Sequence, residues 1–281
     1  FQEVVDAFNT YWETRDPNVK GSGYKPFKRW EQHWKNFVKE DGTLPTQKEL
    51  WDTYLETKSN GNSQRAMADE SDWQPIGPFT HTNTGSWSSG QGRVNVIVKD
   101  ADNANTYYAG APAGGLWKTT DNGGTWITTT DNLPQIGVSG IAIDYNNPGT
   151  IYIATGDDDG GDSNSVGVMK STDAGLTWNS TGLNPGNSPG RMNDIYINPN
   201  DSNMLWVATN DGLFKTTDAG TTWTEKLSGN VRDIKIKPGD TNIIYATTSS
   251  GGTTLFHRSS DEGESFFSTS IGLIFLCEIS I

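Results

Sequence analysis

Apolar residues in this chain follow two different periods. In the first 56 residues the period is helical. Phe1, Val4, Val5, Phe8, Tyr11 and Trp12 fall on one face of a helix that Asp16-Pro17 ends. Phe27, Trp30, Trp34, Phe37 and Val38 repeat that stripe, with Lys, Arg and Glu between them. The run Thr46-Gln-Lys-Glu49 reads as a capping box opening a third helix that carries Leu50, Trp51, Tyr54 and Leu55. Three short helices bury little alone, so the aromatic faces are expected to pack together or against the next domain. A one-sided stripe at helical spacing fits core packing better than a sugar-binding platform. Residues 57–72, rich in Ser, Asn, Gly and acidic side chains, read as a linker.

From residue 73 to 281 the period shortens to that of strands. Paired β-rich runs stand at 96–98 and 106–109, 141–143 and 151–154, 195–197 and 205–208, and 234–236 and 243–246. Turn residues such as Asn147-Pro148 and Pro238-Gly239-Asp240 separate the members of each pair. A third strand (115–118, 212–215) then enters a corner written four times: Lys118 to Trp126, Lys170 to Trp178, Lys215 to Trp223 and Arg258 to Phe266. Asp121, Asp173, Asp218 and Asp261 stand at the same place in each, at spacings of 43 to 52 residues. A repeat of that length is one supersecondary unit copied along the chain. A carboxylate followed two residues later by Gly is a turn, since Asp accepts backbone N–H groups and Gly takes a positive φ. The hydroxyl two residues before the Asp makes a similar local bond, and Trp126, Trp178, Trp223 or Phe266 anchors the strand that leaves. Four strands per copy, without helices between, predict a mostly β chain built of β-propeller blades after a short α-helical segment.

Composition narrows the function classes. With 32 Gly and 11 Trp among 281 residues, the chain suits sheets wedged apart by aromatics. A formal charge of −13 excludes a nucleic-acid partner, because phosphate binding needs clustered Lys and Arg. No apolar run approaches the roughly 20 residues of a membrane span. Cys277 is the sole cysteine, and His33, His81 and His257 share no metal-ligand spacing. No signal peptide is legible, and a chain opening on Phe1 fits a mature form whose signal was removed.

The corners resemble Asp-box (BNR) repeats, known from sialidases, sortilin-type propellers, xyloglucanases and a photosystem assembly factor. The resemblance covers about residues 90–270. It implies that Asp121, Asp173, Asp218 and Asp261 are folding elements on an outer rim, away from any ligand. The stretch Gly23 to Glu31, with Trp73 to Pro78, is similar to the start of large secreted bacterial proteins that carry sortilin-like repeats and use the type IX secretion route. That likeness implies an extracellular or cell-surface location. Counting on from Phe266 places residues 279–281 at the first strand of a fifth blade. Either that strand pairs near residues 73–79, or the chain is part of a longer propeller, the reading preferred here.

Candidate ligand chemistry lies on the face opposite the corners, in the loops 81–93, 110–115, 156–166, 185–193, 210–212 and 249–253. Asp157, Asp159 and Asp162 alternate along a Gly-rich loop and are candidate Ca²⁺ ligands, with a solvated acidic loop as the alternative. Asn95, Gly140, Asp194 and Asp233 align at the inner-strand starts, with Arg93, Arg191 and Arg232 just before them. These acids and arginines, with Trp87 in the first loop, either grip a polar ligand or pair with one another between blades. The Phe/Tyr-Arg-Ile-Pro motif of sialidases is absent. A binding scaffold for a glycan, peptide or partner protein is therefore expected. The alternative is a glycoside hydrolase in which Asp194 and Asp233 do the acid/base work.

Overall fold

The computed structural model describes residues 1–59, 92–157, 163–184, 190–250 and 252–269. The chain divides into two compact units, Phe1–Gln64 and Arg65–Ile281.

In the first unit the stripes form helices α1 (Gln2–Trp12), α2 (Tyr24–Trp34) and α3 (Gln47–Ser59). The capping box closes α3 in both directions. The Glu49 N–H donates to Thr46 Oγ1 at 3.2 Å, and the Thr46 N–H donates to Glu49 Oε2 at 2.6 Å. That N–H and the Lys39 ammonium hold the Glu49 carboxyl down at about 2. Aromatic rings join α1 to α2: Phe8 stacks on Phe27 with centroids 3.6 Å apart, and Phe1 on Trp30 at 5.3 Å. Only part of each expected stripe is covered. Val5 and Trp51 are buried, whereas Tyr11, Phe37, Leu50 and Leu55 are exposed. Helices this short have too little surface to enclose a full apolar face.

The second unit contains four antiparallel four-stranded sheets arranged as propeller blades, each a meander in chain order. Blade 1 holds β1 (Val96–Lys99), β2 (Tyr107–Ala111), β3 (Gly115–Thr119) and β4 (Ile127–Thr128). Blade 2 holds β5 (Val138–Ile143), β6 (Ile151–Thr155), β7 (Val168–Ser171) and β8 (Asn179–Ser180). Blade 3 comprises β9 (Met192–Asn198), β10 (Asp201–Thr209), β11 (Gly212–Thr216) and β12 (Thr224–Ser228). Blade 4 comprises β13 (Asn230–Ile236), β14 (Ile244–Ser250), β15 (Thr253–Ser259) and β16 (Phe267–Thr269). Residues 73–79 and 279–281, the expected flanking strands, lie outside the described residues.

The corners are superimposable in their bonding. In each, the Ser or Thr hydroxyl donates to the carboxylate at 2.7–2.8 Å, as from Thr119 to Asp121 and Ser171 to Asp173. The same hydroxyl oxygen accepts the N–H of the corner glycine at 2.8–3.1 Å. Four residues after the Asp, a Thr or Ser returns both its N–H and its hydroxyl to the two carboxylate oxygens. Positive φ extends one residue further than the glycine rule predicts. Asn122, Ala174, Ala219 and Glu262 sit at φ 56–58°, a region that non-glycine residues rarely adopt. Each of their N–H groups donates back to the turn between the first two strands, to the carbonyls of Asn105, Gly149, Asn203 and Asn242.

The ladders correct the alignment of the copies. Tyr108 pairs with Lys118, Tyr152 with Lys170, Trp206 with Lys215 and Tyr245 with Arg258. Tyr108 and Tyr245 therefore occupy the place of Tyr152 and Trp206, and the second-strand runs of blades 1 and 4 are displaced by one residue from the alignment read in sequence. Because side chains alternate, one residue of slip exchanges the two faces of a strand. In the corrected register Tyr108, Tyr152 and Trp206 face the next blade and reach its corner. The Tyr108 and Tyr152 hydroxyls donate to the carbonyls of Ala174 (3.5 Å) and Ala219 (3.2 Å), and the Trp206 indole donates to that of Glu262 (3.2 Å). Lys118, Lys170 and Lys215 lie over those rings at 5.2–5.6 Å.

Apolar residues from facing sheets fill the gaps between blades. Ala142, Tyr152, Ala154 and Val168 of blade 2 meet Ile195, Ile197, Leu205 and Val207 of blade 3, and Trp223 packs against them. Trp206, Ala208 and Leu213 meet Ile234, Ile236, Ile244 and Ala246, with Phe266 alongside. Trp178 is buried, and its indole approaches Thr129 Oγ1 of blade 1 at 3.5 Å. The first anchor differs: Trp126 is 38% exposed.

Trp178→Ala is expected to destabilise the propeller unit by about 3–5 kcal/mol, the range for emptying a buried aromatic site. Trp126→Ala should cost clearly less, and chemical denaturation of both variants measures the difference. The four corner carboxyls are held at about 2. The largest cause is the backbone N–H of Thr125 for Asp121 and of Thr222 for Asp218. For Asp173 and Asp261 it is the hydroxyl of Thr177 and of Ser265. Their folded values lie below the unfolded ones, so their contribution is present above about pH 4 and lost as pH falls toward 2. Melting temperature should drop through that window, and by less in an Asp173→Asn variant.

Candidate functional site

Polar groups gather where the inner strands β9 and β13 begin. The ladders set Val96, Gly140, Asp194 and Asp233 at equivalent positions, opposite Gly110, Ala154, Ala208 and Thr247. Asn95 therefore does not belong to this row. Its expected place is taken by Val96, since blade 1 begins its inner strand one residue later in register. The row thus carries two carboxylates, side by side on blades 3 and 4.

Lys235, two residues along β13, binds both. Its ammonium lies 3.3 Å from Asp194 Oδ2 and forms a short ion pair with Asp233 Oδ1. Asp194 also accepts the Ile195 N–H at 2.8 Å. Burial raises the Asp194 carboxyl to about 6, with Lys235 opposing the rise and the Asp233 charge adding to it. On Lys235, burial pulls the pKa down, but the two carboxylates outweigh it and leave it raised. The three side chains stay partly open to solvent, at 27%, 15% and 35% exposure for Asp194, Asp233 and Lys235. Lys235 was not among the residues singled out by sequence. The available sign was a lysine at a strand centre where the other copies have Val98, Ala142 and Tyr196.

Nearby, Asn193 is buried and its side-chain amide donates to the Val231 carbonyl at 2.5 Å, tying β9 to β13. The Arg191 backbone pairs with Asn210: its N–H donates to Asn210 Oδ1 at 2.8 Å, and its carbonyl accepts the Asn210 N–H at 3.2 Å. Arg232 is exposed. Neither guanidinium forms an ion pair among the described residues.

Arg93 is engaged elsewhere. It donates to Asp157 Oδ1 at 2.5 Å, joining the entry of blade 1 to the loop after β6. The Asp157 side chain is only 1% exposed, while Arg93 is 39% exposed. A guanidinium therefore neutralises the first of the three candidate Ca²⁺ ligands. Trp87, Asp159 and Asp162 lie outside the described residues. Among the described residues, no three His, Cys, Asp or Glu side chains converge as a metal site would require, and no helix is long and apolar enough to cross a membrane.

No protein-family model matches the chain. A xyloglucanase from a Paenibacillus species is 29% identical over 176 residues, covering 59% of this chain and 17% of that protein. A xyloglucanase from Acetivibrio thermocellus is 34% identical over 134 residues, covering 44% of this chain and 16% of that protein. The crystal structure of an ancestral GH74 enzyme superimposes with a TM-score of 0.54 at 18% identity, over 63% of this chain and 25% of that one. The fold is that of a β-propeller. The chain spans about a sixth of the curated relatives it matches.

The Asp194 carboxyl should titrate near pH 6 and the Asp173 carboxyl near 2, as read from side-chain carboxyl ¹³C shifts. The two act oppositely on stability. A raised folded value gives a contribution that is full below about pH 4 and is lost as pH climbs through 6. Replacing Lys235 with Met should move the Asp194 midpoint higher still, since the cation opposing the rise is gone.

Proposed function

We propose that this chain is part of an Asp-box propeller that binds a polysaccharide outside the cell or at its surface, over the inner-strand starts of blades 3 and 4. The observation that carries this reading is the partly open Asp194–Lys235–Asp233 cluster, flanked by Arg191 and Arg232. Carboxylates accept hydroxyl hydrogens, and an ammonium or guanidinium donates to hydroxyl and ring oxygens, so a sugar finds both kinds of partner within one patch. Likeness to proteins named xyloglucanases supports a carbohydrate as the ligand class. A ligand held by loops on a rigid sheet scaffold is also the usual arrangement.

A second reading, glycoside hydrolysis with Asp194 as proton donor, has one observation in its favour: a carboxyl held at about 6 is tuned as a general acid is. Geometry weighs against it. Two oxygens that share one ammonium stand at most about 6 Å apart, short of the roughly 6.5–9.5 Å an inverting pair needs for its water. In a retaining pair the nucleophile would be tied to Lys235. Binding is the better account.

Retardation of the protein in native gels containing xyloglucan or another β-glucan tests this, with reducing-sugar release measured alongside. Retardation that weakens about tenfold in the Asp194→Ala/Asp233→Ala variant, without sugar release, is the expected result, tenfold corresponding to about 1.4 kcal/mol. Sugar release abolished by Asp194→Asn would favour hydrolysis, and no retardation by any glycan would defeat both readings. Calcium at Asp157, Asp159 and Asp162 belongs to the same proposal. Binding would raise the melting temperature with calcium and lower it with chelator, and a curve moved by neither removes calcium from it.

A further inference from the structure

At each described seam between blades, a lysine on the third strand lies over the aromatic of the second and faces the next corner. These are Lys118 over Tyr108, Lys170 over Tyr152 and Lys215 over Trp206. The corner gives two of the three ammoniums an acceptor. Lys118 donates to the Ala174 carbonyl at 3.0 Å. Lys215, which is buried, pairs with Glu264 Oε1 at 2.6 Å, and Lys226 on the adjoining strand holds Glu264 Oε2 at 2.6 Å. Glu264 stands three residues after the corner aspartate Asp261. Three residues after Asp218, in the corner that faces Lys170, the chain has Thr221 instead. The Ala219 carbonyl of that corner is taken by the Tyr152 hydroxyl at 3.2 Å. Among the described residues, the Lys170 ammonium meets no acceptor.

Where that carboxylate is missing, the seam opens. A groove of about 290 Å³ separates the edge of blade 2 from the corner of blade 3, close to the roughly 300 Å³ at which ligand pockets begin. Register builds its blade 2 wall. Asn179 pairs with Lys170 across β7 and β8, and Thr172 follows Lys170 by two, so the three side chains share one face. Among the described residues, the Asn179 amide and the Thr172 hydroxyl are unbonded as well. The blade 3 wall is fixed by close packing. The Gly182 N–H donates to the Gly220 carbonyl at 2.7 Å, and a Cβ on Gly182 would lie 2.0 Å from the Thr221 carbonyl oxygen. The Thr221 hydroxyl donates to the Asp218 carbonyl at 2.9 Å, which leaves its oxygen able to accept. Asp218 carries the same charge beside this place that Asp261 carries beside Glu264, so a further carboxylate is tolerated there.

We propose that this groove binds a sugar acid, its carboxylate seated on Lys170 as that of Glu264 is seated on Lys215. The ring hydroxyls then meet Thr172, Asn179 and Thr221. An ammonium-to-carboxylate hydrogen bond is the strong kind and fixes the acid end. The amide and hydroxyls match a polyol, whereas an apolar acid would leave them unpaired. The volume suits a single ring. This site lies at the corner ends of the strands, whereas Asp194 and Asp233 lie at the opposite ends, so it is separate from the patch proposed for the polysaccharide.

Titration of the full 281-residue chain with the methyl glycoside of D-glucuronic acid, followed by backbone amide NMR, tests the proposal. The amides of Thr172, Thr181 and Thr221 should shift and saturate. Methyl glucoside and acetate should each bind about tenfold more weakly, and Lys170→Met should weaken glucuronide binding by about the same factor. Thr221→Glu supplies the missing carboxylate from within. It should exclude the sugar acid and raise the melting temperature, through a pair with Lys170 like that of Glu264 with Lys215. Circular dichroism checks that both variants fold, and either one alone decides the test. Glucuronide that shifts none of these amides, or that binds Lys170→Met as it binds the wild type, overturns the proposal. Acetate that binds as tightly as the glucuronide overturns a sugar acid as the ligand. Because the signal comes from the blade 3 corner, the outcome is independent of whether a glucan binds over Asp194 and Asp233.

Discussion

The structure depends on one short-range constraint, a carboxylate that collects three donors at each of four corners. Two are the Ser or Thr hydroxyl before the aspartate and the hydroxyl four residues after it, and the third is the backbone N–H of that later residue. With its oxygens saturated in this way, the aspartate keeps its charge well below the usual carboxylate range, and the backbone beyond it is held in a conformation L-residues avoid. That residue, Asn122, Ala174, Ala219 or Glu262, aims a carbonyl outward at positive φ. In three of the four corners the carbonyl is where the preceding blade takes hold. A local turn thus becomes the fixed point of a long-range contact, which links the corner to the packing of whole sheets.

Distance between blades is set by a second layer of the same design. Large apolar side chains fill each gap, and the aromatic donors Tyr108, Tyr152 and Trp206 span it to reach the corners. Close approach there requires glycine. A Cβ on Gly263 would lie 2.6 Å from the Trp206 indole nitrogen, so this glycine is needed for space as well as for its φ of 79°. Corner Asp, corner Gly and aromatic donor therefore act as a unit, and substitution of any one is felt across two blades.

The polar cluster is a departure from this regularity. Where the row of inner-strand starts has Val96 and Gly140, it switches to Asp194 and Asp233, and Lys235 appears beside them. Carboxylates in a partly buried position destabilise unless paired, and here one ammonium serves both. Regular packing would be satisfied by apolar residues at these places, so the three charges are a local exception to the blade pattern, held together by their own ion pairs.

By itself the sequence determined the strand period, the four corners, the helical leader and the capping box at Thr46 and Glu49. Each depends on residues within about a dozen positions of one another, where spacing alone dictates which groups can meet. Tertiary structure decided the rest. Only the ladders showed that blades 1 and 4 are offset by one residue, because a slip leaves composition unchanged while reversing the faces of a strand. Only the packing separated Trp178, buried against a preceding blade, from Trp126, which carries the same corner signature yet is open. Lys235 escaped notice for the same reason: its meaning lies in two carboxylates, one of them 41 residues away, brought to it by the approach of two blades. Arg93 and Asp157, 64 residues apart, likewise meet only through the fold. Local chemistry is written in neighbouring letters, whereas partners across blades are chosen by geometry that no single stretch of the chain contains.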